Sequence, residues 1–158
     1  MDKAREFLTL KTEESERVSR LSVPTHRVGL DPSYYEGFFL RGIRIDRVGP
    51  GFIACTFKVP PRLTDATGKL SSGAIANLID DVGGAVIQAD GLPAKVSLEM
   101  SISYFSRADA NDELEIISRV LGHRGSYSGT SVILKNKITG ELIAEGRHSL
   151  FGKLESKI

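Results

Sequence analysis

Cysteine is almost absent from this chain, in which Cys55 is the only one among 158 residues. A single cysteine cannot form an intrachain disulfide, so the composition predicts a protein of a reducing compartment, the cytoplasm. Cys55 lies in an apolar, strand-like segment, where a thiol is expected to be a small core residue rather than a nucleophile. The histidines His26, His123 and His148 are far apart in sequence and show no ligand spacing with Cys55. The sequence therefore predicts no metal site.

An excess of charge and a long hydrophobic run are also missing. Lysine and arginine number 21 against 20 aspartates and glutamates, a net charge of +1. This balance gives no electrostatic reason to expect binding to nucleic acid or to an anionic membrane. No apolar run approaches the roughly 18 residues of a membrane-spanning helix, so no membrane insertion is expected.

Two observations at the termini bear on location. The N-terminal residues are acidic and lack the apolar segment of a secretory signal, so no leader is predicted. The final Ser156-Lys157-Ile158 is one aliphatic substitution away from the Ser-Lys-Leu peroxisomal signal. A peroxisomal location is therefore the alternative to a cytoplasmic one.

The sequence is organised around one predicted helix that begins at about Ser72. Apolar residues recur at the spacing of one helix face, at Ile75, Leu78, Ile79, Val82 and Val86. The roughly opposite face is small and sparsely polar, with Gly73, Asn77, Asp80 and Gly84. Two adjacent glycines in the middle cost about 2 kcal/mol of helix stability relative to alanine. We therefore expect close packing on both sides, with Asp80 either in a functional site or at a solvated edge.

Most of the remaining chain is predicted to be strand. Alternation of apolar and polar residues predicts strands over 42–48, 52–59, 95–105, 113–121, 128–136 and 141–151. In the third of these, Val96, Leu98, Met100, Ile102 and Tyr104 are predicted to face one side, and Ser97, Glu99, Ser101 and Ser103 the other. A hairpin, one long helix and four consecutive strands predict an α+β domain, with an antiparallel sheet wrapped around the central helix.

The first 37 residues are predicted to be a helical extension, and residues 38–158 the main domain. Good helix formers dominate the segment up to Pro24, which ends the pattern. Asp31 directly before Pro32 is the expected cap of a further short helix.

Four segments resemble a known family: residues 64–73, the helix around 78–80, the strand 96–104 and the ending 139–148. They look like the hotdog-fold acyl-CoA thioesterases of the phenylacetate-degradation type, most closely the eukaryotic thioesterase superfamily member 2 group. The resemblance covers about residues 38 to 152 in unbroken order. It implies a hotdog fold and hydrolysis of an acyl- or aryl-CoA thioester. Coenzyme A would be part of the substrate, and no other cofactor is implied.

The resemblance also implies roles for individual residues. Asp80 matches the catalytic carboxylate, which acts as general base on water or as nucleophile through a transient anhydride. The backbone N–H of Ser72, at the positive end of the helix, would donate to the thioester oxygen. Ser97 matches a serine that positions the water, and Asp65 occupies a position that is often asparagine. In this family the carboxylate and the amide donor come from opposite subunits, which implies a homodimer and, as is usual there, a homotetramer.

Two departures from the family pattern bear on the site. Ser71-Ser72-Gly73 stands where the family has His-Gly-Gly, and serine can supply the same backbone donor if its φ does not require glycine. An ionised Asp65 cannot donate the hydrogen bond that an asparagine would. Asp65 is therefore either partly protonated beside a second carboxylate or a capping residue.

Coenzyme A is expected, by the same resemblance, to lie along two loops, residues 104–109 and residues 122–127. Arg107, His123 and Arg124 are suitable partners for its phosphates. Contacts with substrate or CoA are assigned to Ser71, Gly73, Glu99, Tyr104, Ser106, Arg107, Ala108, Gly122, His123, Arg124, Gly125 and Ser126. The other interpretation of the two loops is a pair of polar turns that each contain an arginine.

Two other functions are compatible with the sequence. A non-catalytic module that binds a CoA ester or serves assembly would account for the departures at Asp65, Ser71 and Ser72. A hotdog dehydratase is the weaker alternative, because no histidine is expected on or beside the central helix to share a proton with a carboxylate.

Overall fold

A computed structural model describes residues 2–152 of the chain. The predicted targeting signal Ser156-Lys157-Ile158 lies outside the described residues. The described backbone forms two units, with the boundary between Phe38 and Phe39.

The N-terminal unit contains the helices α1 (Asp2–Leu8) and α2 (Thr12–Ser19), neither of which has a buried residue. The helix α3 (Tyr34–Leu40) begins after Ser33, whose hydroxyl accepts from the Glu36 amide while the Glu36 carboxylate accepts from the Ser33 amide, each at 3.1 Å. This reciprocal pair is a capping box. The prediction that Asp31 caps this helix is wrong, because its carboxylate accepts instead from the Arg27 guanidinium at 2.8 Å.

The second unit contains six strands and one long helix. The strands are β1 (Ile43–Gly49), β2 (Phe52–Lys58), β3 (Val96–Tyr104), β4 (Glu113–Arg124), β5 (Tyr127–Asn136) and β6 (Leu142–Phe151). They form one antiparallel sheet in the order β1-β2-β4-β5-β6-β3. The helix α4 (Ser72–Ala89) contacts β2 to β6. The predicted α+β hotdog architecture is confirmed.

The core lies between α4 and the sheet. The predicted apolar face of the helix is buried, at Ile75, Leu78, Ile79, Val82 and Val86. Cys55 is part of this core, and burial raises the pKa of its thiol to about 11. A thiol held protonated at neutral pH fits the predicted packing role.

Strand β3 forms one edge of the sheet and carries exposed apolar side chains. Val96 is 71% exposed, Leu98 54% and Tyr104 49%. A nine-residue edge strand has a row of backbone groups available for pairing, so this edge is where a further strand can be added.

Candidate active site

The first turn of α4 presents backbone donors to solvent. Ser71 is the N-cap, and its hydroxyl accepts from the Ala74 amide at 3.2 Å. Ser72 and Gly73 follow and are exposed, with amides that have no helical carbonyl to bind. Among the described residues, Asn111 is the one non-glycine residue with a positive φ. Ser72 therefore has a negative φ, so its backbone conformation does not require glycine and serine can supply the backbone donor.

A second polar group lies near the middle of α4, around Asp80. The Ser97 hydroxyl donates to Asp80 Oδ1 at 2.6 Å, so the structure brings together two of the predicted site residues. The Asp80 side chain is 41% exposed. An exposed carboxylate with a serine on one oxygen can accept a proton from a water molecule on the other.

Ser97 reaches the helix because β3 contains a bulge. The register against β6 shifts between Ser97 and Glu99, so Ser97 pairs with Leu150 and Met100 with His148. Both partners are buried beneath α4, so Ser97 and Met100 share the inner face although they are three positions apart in the strand. The predicted alternation, with Ser97 opposite Met100 and Tyr104, is wrong for this reason.

Other residues of β3 separate into two groups. Tyr104 lies on the helix side, and its hydroxyl donates to the Ser72 carbonyl at 3.3 Å. Glu99 pairs with the exposed Ser149 on the outer face of the sheet. The structure therefore brings Tyr104 to the start of α4 but does not bring Glu99 to Asp80.

His148 is a site residue that sequence reasoning missed. Its Nε2 lies 3.3 Å from Asp80 Oδ1, and the residue is only 1% exposed. Burial lowers the pKa of the imidazole from its ordinary 6.5, against the opposing effect of the Asp80 charge, so the ring is neutral at pH 7. The expectation that no histidine lies beside the central helix is wrong. A signal was present, because His148 alternates with the buried Gly146 and Leu150 in an inward-facing row.

Both ring nitrogens of His148 lack an aligned hydrogen-bond partner among the described residues. The Nε2–Asp80 distance is therefore an ion-pair distance without hydrogen-bond geometry, and a neutral ring gives it no net charge. Apo active sites often have such long, poorly aligned contacts that tighten when the reacting complex forms.

Gly83 allows α4 to approach this histidine. A Cβ built at Gly83 would lie 2.9 Å from His148 Nδ1 and 3.2 Å from the Thr130 hydroxyl oxygen. A Cβ on the adjacent Gly84 would meet only Leu150, at 3.9 Å. Close packing was predicted on both sides of the helix. The structure shows it at Gly83, where α4 packs directly against His148.

Asp65 organises the loop before α4. Its Oδ1 accepts from the Thr67 hydroxyl at 2.6 Å, the Thr67 amide at 2.8 Å and the Lys69 amide at 3.2 Å. Its Oδ2 pairs with the Arg107 guanidinium. The Thr67 hydroxyl, the two amides and Arg107 hold the pKa of the carboxyl below its usual 3.8. Asp65 is therefore ionised, which does not fit protonation beside a second carboxylate. It does not cap α4 either, because Ser71 is the N-cap; its carboxylate binds the Thr67 and Lys69 amides of the loop instead.

In the first predicted CoA loop, the residues on either side of Arg107 make hydrogen bonds within the chain. The Ser106 hydroxyl donates to the Leu142 carbonyl at 2.8 Å. Ala108 is fully buried, and its carbonyl accepts from Leu70. Arg107 is the cationic member of this loop, and its exposed guanidinium pairs with Asp65.

The second predicted CoA loop is the turn between β4 and β5. His123 Nε2 lies 2.7 Å from Asp90, the residue that ends α4, and Nδ1 lies 2.7 Å from the Ser128 hydroxyl. A cavity of about 290 Å³ adjoins this turn, lined by Gly122, His123, Arg124, Tyr127, Ser128, Gly129 and Ser149. Gly125 and Ser126 complete the turn, Gly125 with a φ of 58°.

The two predicted CoA loops lie at opposite ends of α4. The Leu70 amide donates to the Ala108 carbonyl, which joins the Arg107 loop to the segment before the helix, while His123 contacts Asp90, the C-cap of α4. An 18-residue helix is about 27 Å long, so one chain does not bring the two loops together.

Two features of other protein classes were not found in the described range, residues 2–152. No group of three or more His, Cys, Asp or Glu side chains there is arranged to hold a metal ion. No helix in that range is both long and apolar enough to cross a membrane.

A sheet wrapped around one helix, with a carboxylate, a serine and helix-terminal amides along that helix, defines the class. The protein is a hotdog-fold protein with a site suited to hydrolysis of an acyl compound. No protein-family model matches the chain. Individual relatives do match it.

Human acyl-coenzyme A thioesterase 13 is 37% identical over 109 residues, which are 68% of this chain and 77% of the relative. The mouse thioesterase superfamily member 2 structure has a TM-score of 0.69 at 31% identity, covering 73% of this chain and 87% of that one. The zebrafish structure of the same name has a TM-score of 0.71 at 27% identity, covering 91% and 100%. The chain belongs to the acyl-CoA thioesterase 13 family of hotdog thioester hydrolases.

Proposed function

We propose that this protein hydrolyses the thioester of an acyl- or aryl-CoA to the free acid and coenzyme A. The observation that carries the proposal is the Asp80 carboxylate, which is partly exposed and receives the Ser97 hydroxyl at 2.6 Å. The family, named for acyl-CoA thioesterases, supports the substrate class.

Asp80 acts as the general base. Ser97 and His148 both contact Oδ1, which leaves Oδ2 to take a proton from water. The water oxygen then bonds to the thioester carbonyl carbon, and the carbonyl becomes a tetrahedral oxyanion. When the carbon–sulfur bond breaks, the proton on Asp80 passes to the departing thiolate. The products are a carboxylic acid and the CoA thiol.

The oxyanion is stabilised by the Ser72 amide. Preorganised backbone donors at the developing charge are typically worth about 3 kcal/mol of activation free energy. The positive end of the α4 dipole adds to this effect. Because the donor belongs to the backbone, the serines at positions 71 and 72 keep the chemistry that the glycine-containing family pattern provides.

Two copies of the chain are needed to assemble one site. Asp80 is eight residues beyond Ser72, a separation of about 12 Å along the helix axis, which one thioester carbonyl and one water cannot bridge. The amide that serves Asp80 therefore comes from a second copy. The exposed apolar edge of β3 offers that copy a pairing surface, so we propose a homodimer as the working unit. A homotetramer would be a pair of such dimers.

The length of α4 also separates the two loops proposed to bind coenzyme A. Because the Arg107 loop and the His123 turn lie at opposite ends of α4, a bound CoA draws on loops of different copies. Arg107 and Arg124 are the proposed phosphate contacts, each with an exposed guanidinium. Arg107 would exchange part of its interaction with Asp65 for a phosphate.

The test is a panel of acyl- and aryl-CoA esters with a thiol reagent, applied to the wild type and to Asp80→Asn. Hydrolysis by the wild type that disappears in the variant supports the proposal. Tight CoA-ester binding without turnover would instead identify a binding module. His148 lies beside Asp80, so the histidine that a dehydratase needs is present. Hydration of an enoyl-CoA without thiol release would support that alternative.

Single-turnover hydrolysis in ¹⁸O-water separates the two possible roles of Asp80. A general base puts the label into the acid in the first turnover. A nucleophile forms a mixed anhydride, and water that opens it at the Asp80 carbon leaves the label in Asp80 and gives the first acid an unlabelled Asp80 oxygen. Water that opens it at the acyl carbon labels the acid, so label in Asp80 is the result that excludes a general base.

A further inference from the structure

Four polar side chains meet at the C-terminal end of α4. Asp90 Oδ2 lies 2.7 Å from His123 Nε2, and His123 Nδ1 lies 2.7 Å from the Ser128 hydroxyl. Lys95 Nζ donates to the same hydroxyl at 2.7 Å and to the Ser126 carbonyl at 3.1 Å. These residues come from the helix end, the segment before β3 and both strands of the β4–β5 hairpin.

Every one of these contacts can be a hydrogen bond. Lys95 can only donate, so the Ser128 oxygen accepts from it. His123 Nε2–H donates to the Asp90 carboxylate, and His123 Nδ1 pairs with the Ser128 hydroxyl. The order resembles a hydrolytic Ser-His-Asp triad, but Ser128 is only 3% exposed and its oxygen already receives the lysine. The arrangement therefore holds structure and does not attack a substrate.

The clamped segment is the tip of the β4–β5 hairpin, where His123 pairs with Ser128 and Arg124 with Tyr127. Gly122 and Gly125 flank His123 and Arg124, and the register of β4 against β5 shifts next to Gly122. Gly125 adopts the left-handed conformation, with a φ of 58°. His123 ties this turn to Asp90, and Arg124 is the exposed neighbour that it carries.

We propose that Asp90, Lys95, His123 and Ser128 form a clamp that positions Arg124 for the phosphates of the CoA nucleotide. This inference rests on the proposed function. His123 is then a positioning residue with both ring nitrogens occupied, and Arg124 is the phosphate contact. The clamp favours CoA esters over thioesters that lack the nucleotide.

The test compares an acyl-CoA with the same acyl group on pantetheine, which lacks the nucleotide. Asp90→Ala and Ser128→Ala should each raise KM for the CoA ester about tenfold, the loss expected for one charge-assisted hydrogen bond. The kcat for the CoA ester and both constants for the pantetheine ester should stay unchanged. Asp90→Ala should not worsen KM further in an Arg124→Ala background, because the clamp acts through that arginine.

Thr56→Val is the matched control. Its hydroxyl is also buried and bridges an acid, Asp46, and a lysine, Lys137, but in another part of the sheet. This variant should lose stability without changing the ratio of the two KM values.

Equal KM changes for both substrates, a fall in kcat, or additive effects of Asp90→Ala and Arg124→Ala would overturn the clamp. If no thioester is hydrolysed, calorimetric titration with CoA itself tests the clamp instead. Weaker CoA binding in Asp90→Ala then supports the clamp although the proposed hydrolysis fails. Unchanged binding, or no binding by the wild type, overturns it.

Discussion

The first turn of α4 and the middle of α4 contribute different kinds of polar group to the proposed site. At Ser72 the backbone supplies the polar group, and the side chain of Ser71 is used to cap the helix. At Asp80 the side chain supplies it, braced by Ser97 of β3 and approached by His148 of β6. About 12 Å of helix separates the two groups. The comparison supports the proposal that one chain carries two half-sites and that two copies complete each site.

The largest effect should follow from removing the carboxylate half. Asp80→Asn keeps the size of the side chain but cannot take a proton from water, so kcat should fall about 1,000-fold. The measurement is thiol release under saturating acyl-CoA, with the melting temperature as a check on folding. Activity within a few-fold of wild type would remove Asp80 from the mechanism.

The amide half can be removed without changing the helix. Proline is well tolerated at the first helical position, so Ser72→Pro deletes the N–H while α4 still begins there. Loss of one oxyanion donor should lower kcat about 100-fold. Ser72→Ala retains the amide and is the control, which should keep nearly full activity. If Ser72→Ala were as slow as Ser72→Pro, the hydroxyl would be the functional group.

A smaller effect is expected at the support of Asp80. His148→Gln removes the ring beside Oδ1 and should lower kcat about tenfold, because the contact, unaligned in the free protein, tightens to one hydrogen bond to the carboxylate in the reacting complex. Met100→Leu, on the paired position of β3, is a control for packing and should leave kcat near wild type. Equal losses in the two variants would assign His148 a packing role only.

His148 also predicts a pH dependence of stability. Burial holds the folded-state pKa of this imidazole below 6.5, so the unfolded chain binds a proton first as the pH falls. The stabilisation is complete above the unfolded pKa and is lost on acidification below about 6.5. The free energy of unfolding should therefore fall more steeply between pH 7 and 5 in the wild type than in His148→Gln. Parallel curves would contradict a buried neutral histidine.

The two adjacent glycines are predicted to affect stability in opposite directions. Gly83→Ala brings a Cβ to within 2.9 Å of the His148 ring and should lower the free energy of unfolding by about 1–3 kcal/mol. Gly84→Ala meets only Leu150 at 3.9 Å and should raise it by up to about 1 kcal/mol. Urea unfolding at one protein concentration measures both. Similar values for the two variants would contradict the close approach at Gly83.

The sequence predicted the fold, and the family resemblance assigned Asp80 and Ser97 to one site, but the face from which Ser97 acts was predicted wrongly. Helical spacing identified α4, because a 3.6-residue period over 18 residues is a strong signal. The bulge in β3 depends on how β6 pairs with it, which no local pattern contains. The resemblance to the family assigned Ser97, whereas alternation alone put it on the wrong side of the strand.

His148 and the caps show a second limit. Strand alternation predicts that His148 faces inward. It does not predict that His148 belongs to the site, because its neighbour Asp80 comes from another element, the helix α4. Asp31 before Pro32 is a good cap signal, yet Ser33 with Glu36 forms a reciprocal pair that satisfies two amides. The state of Asp65 was left open because it depends on Thr67 and Arg107, and Arg107 is 42 residues away.

The central claim, that each site joins Asp80 of one copy to the Ser72 amide of another, is tested most directly by mixing two inactive variants. Asp80→Asn and Ser72→Pro are unfolded together, refolded and assayed for thiol release. Statistical pairing puts both variants in half of the dimers, each with one intact site, so about a quarter of wild-type activity should return. Activity no greater than the sum of the separate variants would show that each chain works alone and would contradict the account.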